Sequence, residues 1–410
     1  MPLAKQSCYQ SKMLTHHQNR LGFTPEHEIF RKTVRTYVEK ELLPYKEKWE
    51  SEKSVPRDVF KKLGDQGFLG ITHDPKYGGS GCDYWYKVVF AEEMLACRMH
   101  GFVMDVFVQT DITTPAIAKL ATEEQKQEVL VPAIKGEKIL SLGVTEPNTG
   151  SDVAHIRTTA KKEGDYYIVD GAKMFITNGS RADYIVLAVR TGGALKESWN
   201  NAHQGISFLI FPTKDEKGNT TPGFSVGRKL KKMGNDSSDT AELSFQGCRI
   251  HKRYLLGEEN RGFYYIMQNF QGERLIAAIM GTASCRMMLE DALAYGRQRE
   301  AFGQPIINFQ VWRQRFAQSW AETEACQELT YRACDLFNRN IPCVKEISMA
   351  KLISSELANK IAYECTQFFG GMGYMQETDI SRFYRDVRLL SIGGGTSEIM
   401  REIIAKSQGF

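Results

Sequence analysis

Hydroxyl, amide and glycine residues are concentrated in the segment VTEPNTGSD, residues 144–152, at the end of a predicted strand. A loop of this composition can present many hydrogen-bond donors to an anionic ligand or to the edge of a ring. The segment FITNG, residues 175–179, ends a second predicted strand and carries an aromatic residue and a threonine. One such loop is usually only a turn. Two polar strand ends so close in sequence could converge on one flat cofactor.

The spacing of apolar residues divides the chain into three parts. It is helical in the first part, from a helix start at Thr24-Pro25. The middle part has short β-branched and aromatic runs split by Asp170-Gly171 and Asn178-Gly179, dipeptides typical of hairpins, so we predict an antiparallel β domain there. The last part returns to the helical period and predicts a helical bundle. The predicted domains are residues 1–136, 137–256 and 257–410, in an α+β fold that is mostly α.

The composition is that of an ordinary globular protein and argues against several classes. Of 410 residues, 42% are apolar and 25% charged, and the net charge of +4 is small. Lysine and arginine are scattered between acids, so the basic block expected of a nucleic-acid-binding protein is missing. The nine cysteines form no CxxC pair and have no nearby histidine at metal-ligand spacing, which predicts reduced thiols and no metal site. No segment predicts a transmembrane helix.

Five motifs in this chain resemble the acyl-CoA dehydrogenase family. They are VTEPNTGSD, MFITNG, REAFG at residues 299–303, QFFGG at residues 367–371 and GGTSE at residues 394–398, and the likeness extends over residues 25–407. The resemblance implies an N-terminal helical domain, a middle β-barrel or sandwich and a C-terminal four-helix bundle. It also implies FAD, an acyl-CoA substrate, and a homotetramer in which a neighbouring subunit completes each flavin site.

The resemblance assigns the two polar strand ends to the flavin ring. Thr145 and Thr177 would hydrogen-bond its polar edge, and Phe175 would stack beside it. Medium- and short-chain members usually carry tryptophan at that place, so Phe175 resembles the long-chain branch. Gly150 and Ser151 would approach the pyrophosphate or pantetheine region. The implied FAD contacts are Val144, Thr145, Gly150, Ser151, Phe175, Ile176, Thr177, Arg299, Phe302, Gln310, Gln367, Gly370, Gly371, Thr396 and Glu398.

Part of this set is implied to act on the FAD of a partner subunit. Arg299 would reach its diphosphate, because a guanidinium fork suits phosphate oxygens. Phe302 and Gln310 would lie along the same cofactor. The segment from Gln367 would offer the adenosine half a close backbone, since glycines remove the obstructing side chains. The same glycines are also a usual helix ending.

The dehydrogenation needs a base, because the α-proton leaves while the β-hydrogen is transferred as a hydride. Most family members supply a glutamate from the loop position that is Gly394 here, and glycine cannot be a base. The long-chain and isovaleryl-CoA dehydrogenases also lack that glutamate and place the base immediately before an arginine on an earlier helix. Glu273 occupies that place, before Arg274. Considered alone, Glu273 would be an ordinary helix glutamate.

The remaining substrate contacts implied by the resemblance surround this base. The N–H of Gly394 would donate to the thioester oxygen, with a ribityl hydroxyl of the cofactor as second donor. Gln271 replaces an acid found in some relatives. The implied substrate-binding residues are Ser151, Tyr264, Gln271, Arg274, Gly394 and Gly395.

The predicted function is oxidation of a saturated acyl-CoA to the trans-2-enoyl-CoA, with electrons passed to an electron-transfer flavoprotein. Phe175 and Glu273 favour a long-chain or branched acyl group. Three alternatives stay open: an acyl-CoA oxidase, which usually has a large further C-terminal region; a non-catalytic or nucleic-acid-binding flavoprotein of this fold; and a structural partner of a larger complex. The sequence ends soon after the last motif, which counts against the oxidase.

The predicted location is the mitochondrial matrix, with a bacterial cytoplasm as the alternative. Residues 1–23 contain Lys5, Lys12 and Arg20 and no acid, which permits an organelle-targeting segment. The last residues do not match a peroxisomal address.

Overall fold

The first part of the chain is helical, as predicted. The computed structural model describes residues 22–192 and 201–410, so the basic segment considered for targeting lies largely outside the described residues. The Thr24 N–H donates to His27 Nδ1 at 2.9 Å and opens the first helix, whose first residue is Pro25. A π-helical stretch, Val108–Thr113, follows the fifth helix. The helices are α1 Pro25–Tyr37, α2 Lys46–Glu52, α3 Asp58–Asp65, α4 Tyr84–Met94, α5 His100–Phe107, α6 Thr114–Leu120, α7 Glu123–Gln125 and α8 Val131–Ile134.

The middle part forms one eight-stranded sheet. Its strand order is β6-β7-β3-β2-β4-β5-β8, and β1 lies beside β4. The β1–β4 pair is parallel, and so is the contact between β2 and β4, so the prediction of an antiparallel domain was wrong for these two pairs. The strands are β1 Leu140–Gly143, β2 Thr159–Glu163, β3 Tyr166–Thr177, β4 Tyr184–Arg190, β5 Ile206–Pro212, β6 Phe224–Lys229, β7 Thr240–His251 and β8 Leu255–Leu256.

The two predicted hairpins are absent from this sheet. Strand β3 runs straight through Asp170-Gly171, with an irregularity in its register against β7. Gly171 is there because of close packing: a β-carbon on it would lie 2.6 Å from Thr158 Oγ1. Asn178-Gly179 is a turn, but the strands on either side of it, β3 and β4, are separated by β2. The Asp170-Gly171 signal therefore marks an irregularity within one strand, and the Asn178-Gly179 signal marks a turn between two strands that are not neighbours.

The last part of the chain is helical and shares a core with the first part. Side chains from α4 and α5, among them Phe90 and Phe102, belong to the same buried cluster as Leu275 and Ile361. Strand β4 is buried on both faces, so one of its faces packs against the helices. The predicted order of helical, β and helical domains is confirmed. The elements are α9 Gly262–Gln298, β9 Glu300–Ala301, β10 Gln304–Pro305, α10 Gln310–Asn338, α11 Val344–Phe369, α12 Asp379–Asp386 and α13 Ser397–Gln408.

Within the described ranges, no helix combines the length and the apolar character needed to cross a membrane.

Candidate active site

The two polar strand ends lie side by side. The Met174 N–H donates to the Thr145 carbonyl oxygen at 2.9 Å, and Ser141 Oγ donates to the Thr177 carbonyl oxygen at 2.7 Å. Thr145 and Thr177 are half-buried, and Gly150 and Ser151 are exposed. The side chains of Val144 and Ile176 are buried in apolar clusters, so only their backbone could contact a ligand, and the Val144 carbonyl oxygen already accepts a hydrogen bond from Lys173 Nζ at 3.0 Å.

A bulge in β3 places Phe175 outside the sheet. The register of β3 against β7 shifts between Lys173 and Ile176, and Phe175 has a φ of +61°. This left-handed conformation is uncommon for a bulky residue and turns the ring away from the ladder. The side chain is 62% exposed. An aromatic face is therefore available beside Thr145 and Thr177.

A buried ion pair that the sequence analysis missed anchors the first loop. Glu146 accepts hydrogen bonds from the N–H groups of Arg157 at 2.6 Å and Thr158 at 2.9 Å, and from Lys173 Nζ at 2.8 Å. Burial would raise the pKa of Glu146, but Lys173 and these donors bring it below its usual value. Burial lowers the pKa of Lys173 to about 8, partly offset by Glu146. In the sequence, a lysine within a predicted strand was the sign that could have indicated this ion pair.

Glu273 on α9 lies directly against the glycine turn, which we define as residues 393–395. A β-carbon on Gly394 would lie 3.3 Å from Glu273 Oε1 and 3.5 Å from its Cγ. The side chain as a whole is half-buried, but Oε2 is fully enclosed and has no hydrogen-bond partner among the described residues. Burial raises the pKa of Glu273 to about 6, against the opposing charges of Arg274 and Lys351. The carboxylate thus occupies the space beside Gly394 that a side chain there would need.

Other implied substrate residues flank this carboxylate on α9. The buried Arg274 donates from Nε to the Gly394 carbonyl oxygen at 3.2 Å. Gln271 Nε2 donates to the Met267 carbonyl oxygen at 3.2 Å, and Gln271 Oε1 is enclosed without a partner. Tyr264 is exposed, with the Arg261 guanidinium 4.7 Å from its ring centre. The structure therefore gathers Gln271, Glu273, Arg274 and the glycine turn, with Tyr264 at the start of the same helix.

Thr396 is the N-cap of the last helix. Its Oγ1 accepts a hydrogen bond from the Ile399 N–H at 3.3 Å, the contact expected of an N-cap. Thr396 is half-buried next to Gly395, and Glu398 in the first turn is exposed. This cap continues the glycine turn into α13.

A second group of implied FAD contacts lies at the far end of the helical domain. Helix α9 carries Glu273 and ends just before Arg299, 26 residues later, which corresponds to about 39 Å. Phe302 is 95% exposed, and Tyr295 stacks on Phe369 at 4.2 Å, which brings the two segments of this group together. A β-carbon on Gly370 or Gly371 would meet nothing within 4 Å. The exposed members are Arg299, Phe302, Gln310, Gln367, Gly370 and Gly371.

Three models of acyl-CoA dehydrogenase domains match the chain in order: the N-terminal domain over residues 24–137, the middle domain over residues 141–248 and the C-terminal domain over residues 260–409. The chain belongs to the acyl-CoA dehydrogenase family. It is therefore an oxidoreductase that acts on a CH–CH bond and dehydrogenates an acyl-CoA with FAD, which confirms the predicted enzyme class and cofactor.

Individual relatives support this assignment over nearly the whole chain. The long-chain specific acyl-CoA dehydrogenase of Rattus norvegicus mitochondria is 38% identical over 398 residues, which are 97% of this chain and 89% of the relative. A crystal structure of an acyl-CoA dehydrogenase from Geobacillus kaustophilus is 40% identical with a TM-score of 0.89 and covers 95% of this chain and 100% of its own. A glutaryl-CoA dehydrogenase from Mycobacterium smegmatis, in complex with FADH2, is 27% identical with a TM-score of 0.86 over 94% of this chain and 95% of its own.

The residues of this acyl-CoA dehydrogenase fit FAD at both groups. An exposed aromatic ring at Phe175 beside two half-buried threonines suits a flat, polar-edged ring. The open backbone at Gly150, where a β-carbon would meet nothing within 4 Å, leaves room for a phosphate to approach. The same openness at Gly370 and Gly371 suits the adenosine half.

Proposed function

We propose that Glu273 is the base of the dehydrogenation. The observation that carries this proposal is the position of its carboxylate, with Oε1 3.3 Å from where a β-carbon of Gly394 would lie and Oε2 enclosed without a partner in the part of the chain that the structure describes. An enclosed carboxylate oxygen that lacks a donor is ready to accept a proton. With a pKa of about 6, the group is mostly ionised at pH 7, and its basicity is close to what proton transfer near that pH requires.

The surrounding residues would orient the substrate for this proton transfer. The Gly394 N–H donates to the thioester oxygen and stabilises the enolate-like charge that develops as the α-proton leaves. Arg274 keeps its bond to the Gly394 carbonyl, which fixes the peptide group on the carboxyl side of Gly394. The acyl chain excludes water and raises the basicity of Glu273 when substrate arrives. FAD, when bound, supplies the acceptor for the β-hydride, and the product is the trans-2-enoyl-CoA.

The flavin contacts are part of the same proposal. Thr145, Thr177 and Phe175 hold the ring, and Gly150 and Ser151 lie toward the pyrophosphate or pantetheine. Arg299, Phe302, Gln310 and the segment 367–371 act on the FAD of a neighbouring subunit in a homotetramer. The distance of about 39 Å along α9 supports this division, because one chain would have to span it to complete its own site.

A long-chain or branched acyl-CoA is the proposed substrate. The phenylalanine at 175, the base on α9 and the similarity to the rat long-chain enzyme support it. We further propose that an electron-transfer flavoprotein accepts the electrons. The mitochondrial matrix is the proposed location, because the similar rat enzyme is mitochondrial. The relative from Geobacillus kaustophilus keeps a bacterial cytoplasm as the alternative.

Glu273→Gln tests the base directly. The amide keeps the shape of the side chain but cannot accept the α-proton, so FAD should stay bound while its bleaching by acyl-CoA slows by about 10²- to 10⁴-fold. The measurement is anaerobic mixing with isovaleryl-, octanoyl- and palmitoyl-CoA in turn, followed by visible absorbance. The wild-type protein should bleach with the acyl class it uses.

The matched control is Glu356→Gln on α11, where an exposed carboxylate pairs with Arg401. This variant should bleach at the wild-type rate. Unchanged bleaching in Glu273→Gln would move the base to another residue, and a failure of the wild-type protein to bleach with any acyl-CoA would exclude these substrate classes.

A further inference from the structure

Lys351 on α11 is a buried cation beside the proposed base. Its side chain has no exposed surface, and lysine is almost never buried without a specific partner. Its Nζ donates to the carbonyl oxygen of Gly395. Burial and the charge of Arg274 lower its pKa to about 8, and Glu273 and Glu398 oppose that shift. At pH 7 the ammonium form therefore prevails.

Two cations from two helices hold consecutive carbonyls of the glycine turn. Arg274 on α9 donates to the Gly394 carbonyl, and Lys351 on α11 donates to the Gly395 carbonyl. In a planar trans peptide the C=O and the following N–H point in opposite directions, so both peptide groups after Gly394 are fixed. The first of these peptide groups includes the Gly394 Cα, so the Gly394 N–H, which belongs to the preceding peptide group, is linked to a fixed point through the φ and ψ bonds of one residue.

The glycine turn needs such an anchor because its backbone is unusually free. Gly394 and Gly395 have φ angles of +65° and +98°, conformations that glycine adopts readily and loses much entropy to keep. Three consecutive glycines supply no side chain to hold the turn by packing. The two cation–carbonyl hydrogen bonds are partly buried and charge-assisted, and charge assistance makes them stronger than neutral ones.

Charged groups from several elements lie around Glu273 and Lys351. Arg274 is its neighbour on α9, and Lys351 faces it from α11; both favour its ionised form. Glu398 on α13 faces Lys351. Asp111 lies in the π-helical stretch, where its carbonyl oxygen is 3.1 Å from the place of a β-carbon on Gly272, but its carboxylate is paired with Lys87 at 3.3 Å. Arg274 and Lys351 are thus the two cations that act on the carboxylate.

We propose that Lys351 is a positioning residue for the dehydrogenation: its ammonium group holds the glycine turn through the Gly395 carbonyl, and its charge stabilises the carboxylate form of Glu273. This inference rests on the proposed role of Glu273 as base. Lys351 does not touch the reacting atoms. It acts through the turn that presents the Gly394 N–H and through the proton affinity of the base.

Three substitutions separate the two parts of this role. Lys351→Met removes both the donor and the charge, so the rate of flavin bleaching should fall at every pH. The acid limb of the pH profile of that rate should move to higher pH by about one unit. Lys351→Gln keeps a donor without the charge, so the limb should move while the high-pH rate stays nearer to wild type. Lys351→Arg keeps both and should restore the wild-type limb.

Proton uptake on binding gives a readout that is independent of turnover. A non-reacting thioether analogue of the acyl-CoA should make the holoenzyme take up protons, because its acyl chain desolvates Glu273. Titration calorimetry in buffers of different ionisation enthalpy measures this uptake. Its maximum should move to higher pH by about one unit in Lys351→Met and Lys351→Gln, and stay in place in Lys351→Arg.

Lys360→Met is the matched control, because Lys360 lies on the same helix, is exposed and pairs with Glu322 at 2.7 Å. It should change neither readout. An acid limb and an uptake maximum that stay in place in folded, FAD-loaded Lys351→Gln would overturn the role of Lys351. If Glu273→Gln abolishes bleaching in that case, the base survives and only the inference on Lys351 fails; normal bleaching in Glu273→Gln would remove both.

Discussion

A single missing side chain explains why Glu273 fits where it does. The resemblance implies that Gly394 stands where most family members carry the base, and the carboxylate of Glu273 fills the space beside it. The pairing of a glycine on the loop with a glutamate on α9 was predictable from the sequence by resemblance. The sequence could not show that Arg274 and Lys351 clamp the turn, because these contacts join residues far apart along the chain.

Gly394→Ala should disturb the base through a single methyl group. The methyl would lie 3.3 Å from Glu273 Oε1, tighter than an ordinary contact, at a φ of +65° that costs a non-glycine residue about 1–2 kcal/mol. We expect lower thermal stability and slower bleaching by acyl-CoA, with FAD still bound. Gly218→Ala is the control, since Gly218 has a φ of +82° and nothing within 4 Å of its β-carbon position. It should lose stability alone; equal bleaching rates in the two variants would mean that the methyl at 394 does not displace Glu273.

At the scale of elements, β3 shows where sequence patterns mislead. Asp170-Gly171 is a strong local turn signal, but β2 and β7 pair with β3 on both sides and keep the strand continuous. The bulge further along aims Phe175 out of the sheet, a consequence of register that no local pattern contains. Lys173 was passed over for a related reason: a lysine in an alternating strand usually faces water, and only the position of Glu146 shows that this one does not.

Lys173→Met should loosen the loop of residues 144–152, which we propose binds the flavin. The substitution leaves the Glu146 carboxylate buried without its counter-charge, a change that typically costs about 3–5 kcal/mol. We expect a lower free energy of unfolding in urea and weaker retention of FAD during dialysis. Lys161→Met, on the neighbouring strand β2, removes an exposed lysine that pairs with Glu163 at 3.3 Å and should change neither quantity. Full retention of FAD in Lys173→Met would show that the loop is held without the pair.

At the scale of the whole molecule, the first and last helical parts share one core while the implied FAD contacts fall into two separate groups. The sequence order of helical, β and helical parts was enough to predict the order of the domains, since the period of the apolar residues changes from helical to β and back. The separation of the two groups became visible only with α9 in place, because a helix of 37 residues carries its two ends far apart. In the proposed arrangement, each end of the molecule would contribute one half of a cofactor site.

Subunit mixing tests that division. Glu273→Gln removes the base, and Arg299→Gln removes the guanidinium at the other end of α9, so each variant alone should bleach poorly with acyl-CoA. If each site takes its base from one chain and its arginine from the next, a mixed pair contains one site with both. Random reassembly of equal amounts should then restore about a quarter of the wild-type sites, because half of the pairs are mixed and half of their sites are intact. The measurement is bleaching amplitude after co-refolding, with separately refolded variants combined afterwards as the control. No recovery from co-refolded chains that hold FAD would place the base and Arg299 in the same subunit's site.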